Sequence, residues 1–304
     1  MRRKHLPLRQ LQLNRDLHLR MDCVLIADSG STKTDWILIS KENGTKEIHS
    51  TGINPVRDSR GTILSILEDE LKPQIPHTPN IREIHFYGAG CIPPFCKTVE
   101  ECLLETFPQV EISVDSDLLG AARALCGHNQ GIACILGTGS NSCLYDGEKI
   151  VSNVSPLGFI LGDEGSGAVL GRTLVGDILK GMLGDSIREE FLQEYELTPS
   201  LIIDKVYRGT QPNRFLASLV PFIEKHRNMS GIHNLLISSF RSFLSRNIAQ
   251  YGRPDLPLNF VGSIAHIYEE ELQESIRLEG MIMGKILQKP IAEIANFHIK
   301  PGKK

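Results

Sequence analysis

Two segments of the chain share one pattern: a short apolar run, a turn rich in glycine and hydroxyl residues, and a second apolar run. The first is VLIADSGSTKTDWILI at 24–39, and the second is GIACILGTGSNSCLY at 131–145. Apolar runs rich in β-branched residues and bounded by Gly and Ser are typical of strands, so each segment predicts a strand–turn–strand. Their repetition predicts a duplicated fold whose two halves open in the same way.

The residues that follow each segment predict alternating helices and strands. In the first half an amphipathic helix (61–71), a strand (82–90), a helix (97–108) and a strand running into an Ala-rich helix (110–127) are expected. In the second half a helical section (165–251) precedes a further strand, Gly-Ser turn and helix (258–276). We therefore predict an α/β protein whose two halves face each other across a cleft.

Composition excludes several classes of protein. The 304 residues are 41% hydrophobic, which is enough for two domains, and the net charge of −3 is unlike the basic face of a nucleic-acid binder. No apolar run has the roughly 18 to 20 residues that a membrane span needs. The seven cysteines show no CxxC pair or zinc-ligand spacing. We expect a soluble protein with reduced thiols, no nucleic-acid partner and no membrane partner.

Residues 1–20 differ from the rest of the chain because they carry five Arg, one Lys and one Asp without an apolar core. This composition is not that of a secretory signal. An Arg-rich stretch also suits a mitochondrial presequence, although Ser is absent. We predict a disordered N-terminal extension (1–20), an N-terminal domain (21–130) and a C-terminal domain with a helical insertion (131–304). In one arrangement the last helix packs back on the N-terminal domain.

The two turns have a composition that suits phosphate. In a turn of Gly, Ser and Thr several backbone N–H groups can converge on phosphate oxygens, and the hydroxyls add donors. The spacing is not that of a Walker loop. A third turn of the same kind, VGS at 261–263, follows the last predicted strand. Three such turns favour a polyphosphate ligand over three ordinary loops.

The motifs form an ordered set: ADSGSTKTDW (27–36), GINP (52–55), DLLGAARAL (117–125), LGTGSNS (136–142), LGDEGSGAVLG (161–171) and FVGSIA (260–265). This set resembles the sugar kinase, actin and Hsp70 superfamily. Within it the chain is most similar to the N-acetylglucosamine kinases of the BadF/BadG/BcrA/BcrD-type ATPase family, over about residues 22–270. The resemblance implies two RNase H-like (actin-like ATPase) domains around a central cleft. It also implies an ATP- and Mg²⁺-dependent, cytoplasmic, homodimeric kinase that converts an amino sugar, first of all N-acetylglucosamine, to its 6-phosphate.

By position, the resemblance assigns ATP contacts to all three turns. The residues concerned are Gly30, Ser31, Thr32 and Lys33 in the first turn, Gly137, Thr138 and Gly139 in the second, and Gly262 and Ser263 in the third. It places Asp28, at the end of the first strand, in the Mg²⁺ shell, where water would mediate the contact. An alternative for Asp28 is a carboxylate that caps the turn.

Phosphate transfer to a hydroxyl needs a carboxylate that accepts the proton and orients the nucleophile. The resemblance assigns this role to Asp117, at the predicted junction of strand and helix. Asp115 competes for the role, and a helix N-cap is the alternative for Asp117.

The resemblance also assigns the amino sugar to five residues. These are Asn54, Ser140, Asn141, Gly158 and Asp163. Asn54 beside a proline is equally well explained as a turn residue. Mammalian-type relatives carry Gly-Trp-Gly where this chain has Pro156, Leu157 and Gly158, so the choice of hexosamine stays open.

Two functions from other classes are alternatives to the kinase. Related ATPases activate hydroxyacyl-CoA dehydratases and hold an iron–sulfur cluster through cysteines. Cys134, shortly before the second turn, would be the candidate ligand, although it lies in an apolar strand. The other alternative is a regulator that senses sugar through the same ATPase fold.

Overall fold

The described part of the chain contains two five-stranded sheets. The structure is a computed structural model that describes residues 22–30, 32–40, 44–76 and 80–299. The predicted N-terminal extension and Ser31 lie outside these residues. Two compact units divide between Gly120 and Ala121. The predicted domain boundary, after residue 130, lies beyond this division and stays a prediction.

The first unit holds a sheet with strand order β3-β2-β1-β4-β5. Strands β1, β2 and β3 are antiparallel neighbours, whereas β4 and β5 continue parallel to β1. The strands are β1 (Asp22–Ser29), β2 (Lys33–Ser40), β3 (Gly44–Thr51), β4 (Asn80–Gly88) and β5 (Glu111–Ser116). Trp36 is fully buried in the core of this unit, where its Nε1 donates to Ser50 Oγ at 2.9 Å.

Along the chain, the helices of the first unit come after β3, β4 and β5. They are α1 (Arg60–Ser65), which continues as a π-helical turn (Ile66–Leu71) and a 3₁₀ turn (Lys72–Gln74), and α2 (Cys96–Thr106). Helix α3 (Asp117–Cys126) follows β5 directly, and the division between the units falls inside it.

The second unit repeats the arrangement with strand order β10-β9-β6-β7-β8. Its strands are β6 (Gly131–Leu136), β7 (Ser140–Tyr145), β8 (Ile150–Ser152), β9 (Leu258–Val261) and β10 (Met283–Leu287). The first three in sequence are antiparallel neighbours, and β9 and β10 continue parallel to β6. The predicted duplication is therefore confirmed at the level of strand order and direction.

Helices separate β8 from β9 and flank β10. Between β8 and β9 lie α4 (Gly158–Leu161), α5 (Gly167–Leu179), α6 (Asp185–Glu194), α7 (Pro199–Tyr207), α8 (Pro212–Ala217), α9 (Val220–Lys225), α10 (Ser230–Arg246) and a 3₁₀ turn (Ile248–Tyr251). After β9 come α11 (Ser263–Ile267), α12 (Glu269–Leu278) and α13 (Ile291–Ile299). The helical section predicted at 165–251 is confirmed. The predicted packing of the last helix on the first domain stays a prediction.

Candidate active site

The first turn joins β1 to β2 in a tight hairpin. Gly30 N donates to Lys33 O at 3.0 Å, and the hydroxyls of Ser29 and Thr34 lie 2.7 Å apart across the hairpin. Both hydroxyl residues are fully buried, whereas Thr32 and Lys33 are exposed at the tip. The buried pair therefore fixes the two strands while the tip keeps polar groups available to a ligand.

The segment GINP lies directly against this hairpin. Gly52 N donates to Thr32 O at 3.1 Å, and a Cβ at Gly52 would lie 2.3 Å from Gly30 O. Ile53 N donates to Ser29 Oγ at 3.0 Å. Only glycine permits this close approach at position 52, and it ties the loop that carries Asn54 to the first turn.

Asn54 makes the turn that its neighbouring proline suggested. Its Oδ1 accepts from Val56 N at 3.1 Å, and its own N donates to Asp58 Oδ2 at 2.7 Å. The turn role is therefore present in the structure, and the predicted contact with a sugar stays a prediction.

One face of the first sheet carries a row of polar side chains at the level of the first turn. Asp28 of β1 lies opposite Asp35 of β2 and beside Tyr87 of β4, and Tyr87 in turn pairs with Asp115 of β5. Residues in register across a sheet point to the same face. Since the flanking Ala27 belongs to the core on the other face, the row projects away from that core.

Asp35, which was not singled out in the sequence, forms ion pairs with two basic residues. Lys33 Nζ lies 2.9 Å from its Oδ2, and His49 Nδ1 lies 2.9 Å from its Oδ1. The carboxylate is almost fully buried, whereas the two basic partners are exposed. The sequence does contain a signal for this ion pair, since a Lys and an Asp two residues apart in a strand lie on the same face.

Asp28 is half-buried at the end of β1 and supplies the hard oxygen donors that Mg²⁺ prefers. Within the described residues, no group of three or more His, Cys, Asp or Glu could hold a metal ion. Mg²⁺ commonly binds through one or two carboxylates together with substrate phosphates and waters. The donors at Asp28 fit that mode.

Asp117 is the first residue of α3, but Ser116 is the residue that caps this helix. Ser116 Oγ accepts from Leu119 N at 3.3 Å, the usual N-cap bond to the third helical residue. Asp117 Oδ1 accepts from Leu118 N at 2.9 Å. Burial raises the pKa of the Asp117 carboxyl above its usual value, and the bond from Leu118 N opposes this rise. The capping alternative for Asp117 is thus filled by its neighbour.

The Cys91 thiol lies close enough to both candidate bases, Asp117 and Asp115, for their charges to affect its pKa. The pKa of Cys91 is raised to about 12, chiefly by burial and in addition by the nearby carboxylates of Asp117 and Asp115. Helix α3 packs closely on the sheet. A Cβ added at Gly120 would lie only 2.9 Å from the Tyr87 side chain. Glycine at this position allows the start of the helix to approach the row of acids.

The second turn, in the second unit, is held by backbone groups. Gly137 N donates to Gly139 O at 2.9 Å. From the first turn of α5, Gly167 N donates to Gly137 O at 2.8 Å and Ala168 N to Thr138 O at 3.1 Å. The start of α5 therefore fixes the position of the second turn.

The third turn lies against the second. Gly262 has φ +122°, and a Cβ there would lie 2.3 Å from Leu136 O. Ser263 follows as the first residue of α11. The structure thus brings the sequence-predicted residues of the second and third turns together, and it explains why position 262 needs glycine.

Asp163 joins the acidic segment GDEGSG to the second turn. It has φ +51°, its N donates to Pro156 O at 2.8 Å, and its carboxylate accepts from Ser140 N. A Cβ at Gly139 would lie 3.0 Å from Asp163 Oδ2. The pKa of Asp163 is raised to about 6, chiefly by burial and in addition by the neighbouring Glu164 carboxylate, while the bond from Ser140 N lowers it.

Glu164 points to different partners from those of Asp163. Its carboxylate lies 2.5 Å from Arg246 Nε, and Asn247 Nδ2 donates to it at 3.2 Å. These partners are distant in sequence, so no local pattern could have identified them. Gly158, predicted to contact the sugar, is exposed at the start of α4 with φ +75°.

Ser140 and Asn141 start β7 beside Asp163. Ser140 is buried, and Asn141 is half-buried. Asn141 Oδ1 accepts from Ser142 N and from Asn153 Nδ2, both at 2.9 Å. Asn153 was not singled out in the sequence, where it stands in an ordinary polar loop.

Solved structures show what this geometry resembles. A protein from Porphyromonas gingivalis, provisionally assigned as an N-acetylglucosamine kinase, is 50% identical with a TM-score of 0.87, covering 90% of this chain and 98% of that one. The chain belongs to the N-acetylglucosamine kinase-like family. The resemblance of the motifs to the N-acetylglucosamine kinases is therefore confirmed.

Two further structures share the fold. A protein from Chromobacterium violaceum with the same provisional assignment is 19% identical, with a TM-score of 0.72, over 91% of this chain and 99% of that one. A transcriptional regulator of the ROK family, homologous to the E. coli MLC protein, is 11% identical, with a TM-score of 0.54, over 91% of this chain and 77% of that one.

No protein-family model and no curated protein matches the chain. None of the described helices is long and apolar enough to cross a membrane.

Proposed function

We propose that the chain is an ATP-dependent hexosamine kinase that phosphorylates an amino sugar, with N-acetylglucosamine and its 6-hydroxyl as the first candidates. The observation that carries this proposal is the bonding of Asp163 to the second turn. The Asp163 carboxylate, a group able to accept hydrogen bonds from sugar hydroxyls, is thereby held next to a turn whose composition suits phosphate. The provisional name of the Porphyromonas gingivalis relative supports the same substrate class.

In this proposal ATP is held by backbone and hydroxyl donors of the three turns. The residues are Gly30, Ser31, Thr32, Lys33, Gly137, Thr138, Gly139, Gly262 and Ser263. Asp28 would hold Mg²⁺ through water, and the ion would neutralise charge on the phosphates. The sugar would contact Asn54, Ser140, Asn141, Gly158 and Asp163.

Asp117 would act as the general base. As the sugar oxygen attacks the γ-phosphorus, the bond to the β-phosphate oxygen breaks, ADP leaves, and the hydroxyl proton passes to the Asp117 carboxylate. A carboxyl pKa raised by burial brings its basicity closer to neutral pH, where proton transfer is more effective. Ser116 makes the N-cap bond of α3, so the proposed base would not also have to serve as the N-cap.

The dehydratase-activator alternative depends on Cys134 as a cluster ligand. Cys134 is fully buried in β6, and burial raises the pKa of its thiol well above the usual value. An iron–sulfur cluster is bound by thiolates. The position of Cys134 therefore favours the kinase proposal.

A coupled assay of ADP release tests the proposal. ATP and Mg²⁺ are supplied with N-acetylglucosamine, glucosamine, N-acetylmannosamine, N-acetylmuramic acid or glucose, and each rate is compared with the rate without sugar. We expect an amino sugar to give the largest increase, with one phosphorylated sugar formed per ADP. If no sugar raises the rate, the kinase proposal is wrong. Visible absorbance of anaerobically purified protein would instead support the cluster-bearing alternative.

A further inference from the structure

Asn153 follows the last residue of β8 and turns its side chain back onto β7. Its Nδ2 donates to Asn141 Oδ1 at 2.9 Å and to Ser142 O at 2.7 Å. Asn141 Oδ1 also accepts from Ser142 N at 2.9 Å. Asn153 Nδ2 also lies 3.2 Å from Val154 O. The two side-chain amides and the backbone N–H and C=O of Ser142 thus form one connected set of hydrogen bonds.

The backbone of Ser142 fixes the orientation of both amides. Because a backbone N–H can only donate, the Asn141 atom that faces it must be the oxygen. Because a backbone carbonyl can only accept, the Asn153 atom that faces Ser142 O must be the nitrogen. Neither amide can rotate by 180° without placing two donors or two acceptors against each other.

This arrangement uses the whole acceptor capacity of Asn141. An amide oxygen has two lone pairs, and here Ser142 N and Asn153 Nδ2 occupy both. Toward a ligand, Asn141 can therefore offer only the N–H donors of its Nδ2.

The anchor of Asn153 is itself held in place. The next residue, Val154, donates from its N to Tyr251 Oη at 3.2 Å, and that hydroxyl lies 2.8 Å from Ser142 Oγ. Ser142 and Tyr251 are both buried. On the other side of Asn153, Ser152 pairs with Leu144 of β7. The bond from Asn153 to Asn141 therefore comes from a segment held on both sides.

We propose that Asn153 is a positioning residue that locks the amide of Asn141, so that Asn141 recognises an acceptor oxygen of the amino sugar through Nδ2–H. The inference rests on the proposed function, because it takes the sugar as the ligand of Asn141. It adds the direction of that hydrogen bond and the residue that sets it.

The direction is tested with two variants of Asn141, measured by calorimetric titration of N-acetylglucosamine and the other amino sugars. Asn141→Asp keeps an oxygen for Ser142 N and Asn153 but replaces the outward N–H donors with an oxygen. We expect it to bind the sugar more weakly than Asn141→Ala, because two acceptors then face each other. Equal or tighter binding by Asn141→Asp would mean that the sugar donates, and would overturn the proposal.

The role of Asn153 is tested by a double-mutant cycle. We expect Asn153→Ala to raise the Kd and KM for the sugar about tenfold, the size of one hydrogen bond of roughly 1.4 kcal/mol, with the Kd for ATP unchanged. In the Asn141→Ala background the same substitution should have no effect on sugar binding. Ser152→Ala, an exposed neighbour in β8, is the matched control and should behave as wild type.

The outcomes separate this inference from the proposed function. Sugar binding by the wild type without turnover would contradict the kinase and still allow the cycle to be measured. Absence of sugar binding by the wild type would contradict both. Additive effects of Asn141→Ala and Asn153→Ala, or equal losses of ATP and sugar affinity, would show that Asn153 serves only the fold.

Discussion

The two sheets have the same strand order, but they differ at the level where each first hairpin turns. In the first unit the residues in register across β2, β1, β4 and β5 are Asp35, Asp28, Tyr87 and Asp115. In the second unit the equivalent row across β7, β6, β9 and β10 is Asn141, Ile135, Val261 and Leu287. The row of the first unit therefore holds three carboxylates and one tyrosine. The row of the second unit holds one neutral amide and three apolar side chains.

In the proposed function this difference would divide the chemistry between the two units. Carboxylates that suit a metal ion and a proton acceptor lie in the first unit, whereas the second offers neutral hydrogen bonds and the separate acidic turn of Asp163. In each row the side chain on the second strand has a partner that lies in, or directly after, the third strand. His49 contacts Asp35 in the first unit, and Asn153 contacts Asn141 in the second.

The largest predicted effect tests whether proton transfer belongs to the acidic half. Asp117→Asn keeps the shape of the side chain but removes the proposed base, so turnover should fall by ~10² to 10⁴. The thermal shift caused by ATP should stay nearly the same, because the turns proposed to hold ATP are unchanged. Steady-state rates and thermal melts measure the two effects.

Asp115→Asn is the matched control for Asp117→Asn, since both carboxylates lie near Cys91. We expect it to retain most of the turnover. Loss of turnover in Asp115→Asn with turnover kept in Asp117→Asn would move the base into the strand row. Unfolding of Asp117→Asn would show that this residue mainly serves the start of α3.

The next prediction concerns the contact between the second and third turns. Gly262→Ala places a Cβ 2.3 Å from Leu136 O at φ +122°, so the third turn must move. We expect the free energy of unfolding to fall by at least about 1–3 kcal/mol and the thermal shift caused by ATP to be lost.

Gly280→Ala gives the matched comparison, because Gly280 also has positive φ but nothing lies within 4 Å of its Cβ position. That variant should lose only about 1–2 kcal/mol and keep the ATP shift. If Gly262→Ala keeps the shift as well, the third turn does not hold the nucleotide.

Sequence patterns predicted the parts of this molecule that are set locally. The strands around both hairpins and the helical section at 165–251 follow from apolar periodicity and glycine. Strand β3 was missed because its residues are mostly polar and exposed, as expected for an edge strand. The partners of Asp35, Glu164 and Asn141 were missed because His49, Arg246 and Asn153 reach them only through tertiary structure.

The third prediction concerns the acidic turn of the second unit. Because the pKa of Asp163 is about 6, kcat/KM for the amino sugar should fall roughly tenfold per pH unit below that pH. Asp163→Asn should lower the activity and remove this acidic limb of the profile. If the acidic limb of the pH profile survives in Asp163→Asn, it would instead reflect the titration of Asp117. Asp146→Asn, an exposed acid with a lowered pKa, should leave the profile unchanged.

The same carboxyl should cost the protein stability. A pKa raised above the unfolded value of 3.8 means that the folded state binds the proton more tightly, so stability falls as the pH rises from about 4 to about 6. Asp163→Asn avoids this cost, and Asn tolerates the positive φ. Its Tm should exceed that of the wild type at pH 7, with the gain shrinking toward pH 4. A Tm below wild type across this range would contradict the assignment.

The smallest effect tests how the two hairpins are held. In the first unit Ser29 Oγ is buried between Thr34 Oγ1 and the backbone of Ile53, whereas the second unit has Leu136 at the corresponding end of β6. Ser29→Ala leaves Ile53 N–H without its partner, which should lower the free energy of unfolding by about 1–3 kcal/mol. Because this bond also ties the Asn54 loop to the first turn, KM for the sugar should rise slightly. Ser113→Ala, which removes a less buried bond to His85, is the control and should cost less. Equal melting temperatures for the two variants would mean that the first hairpin, like the second, is held by its backbone alone.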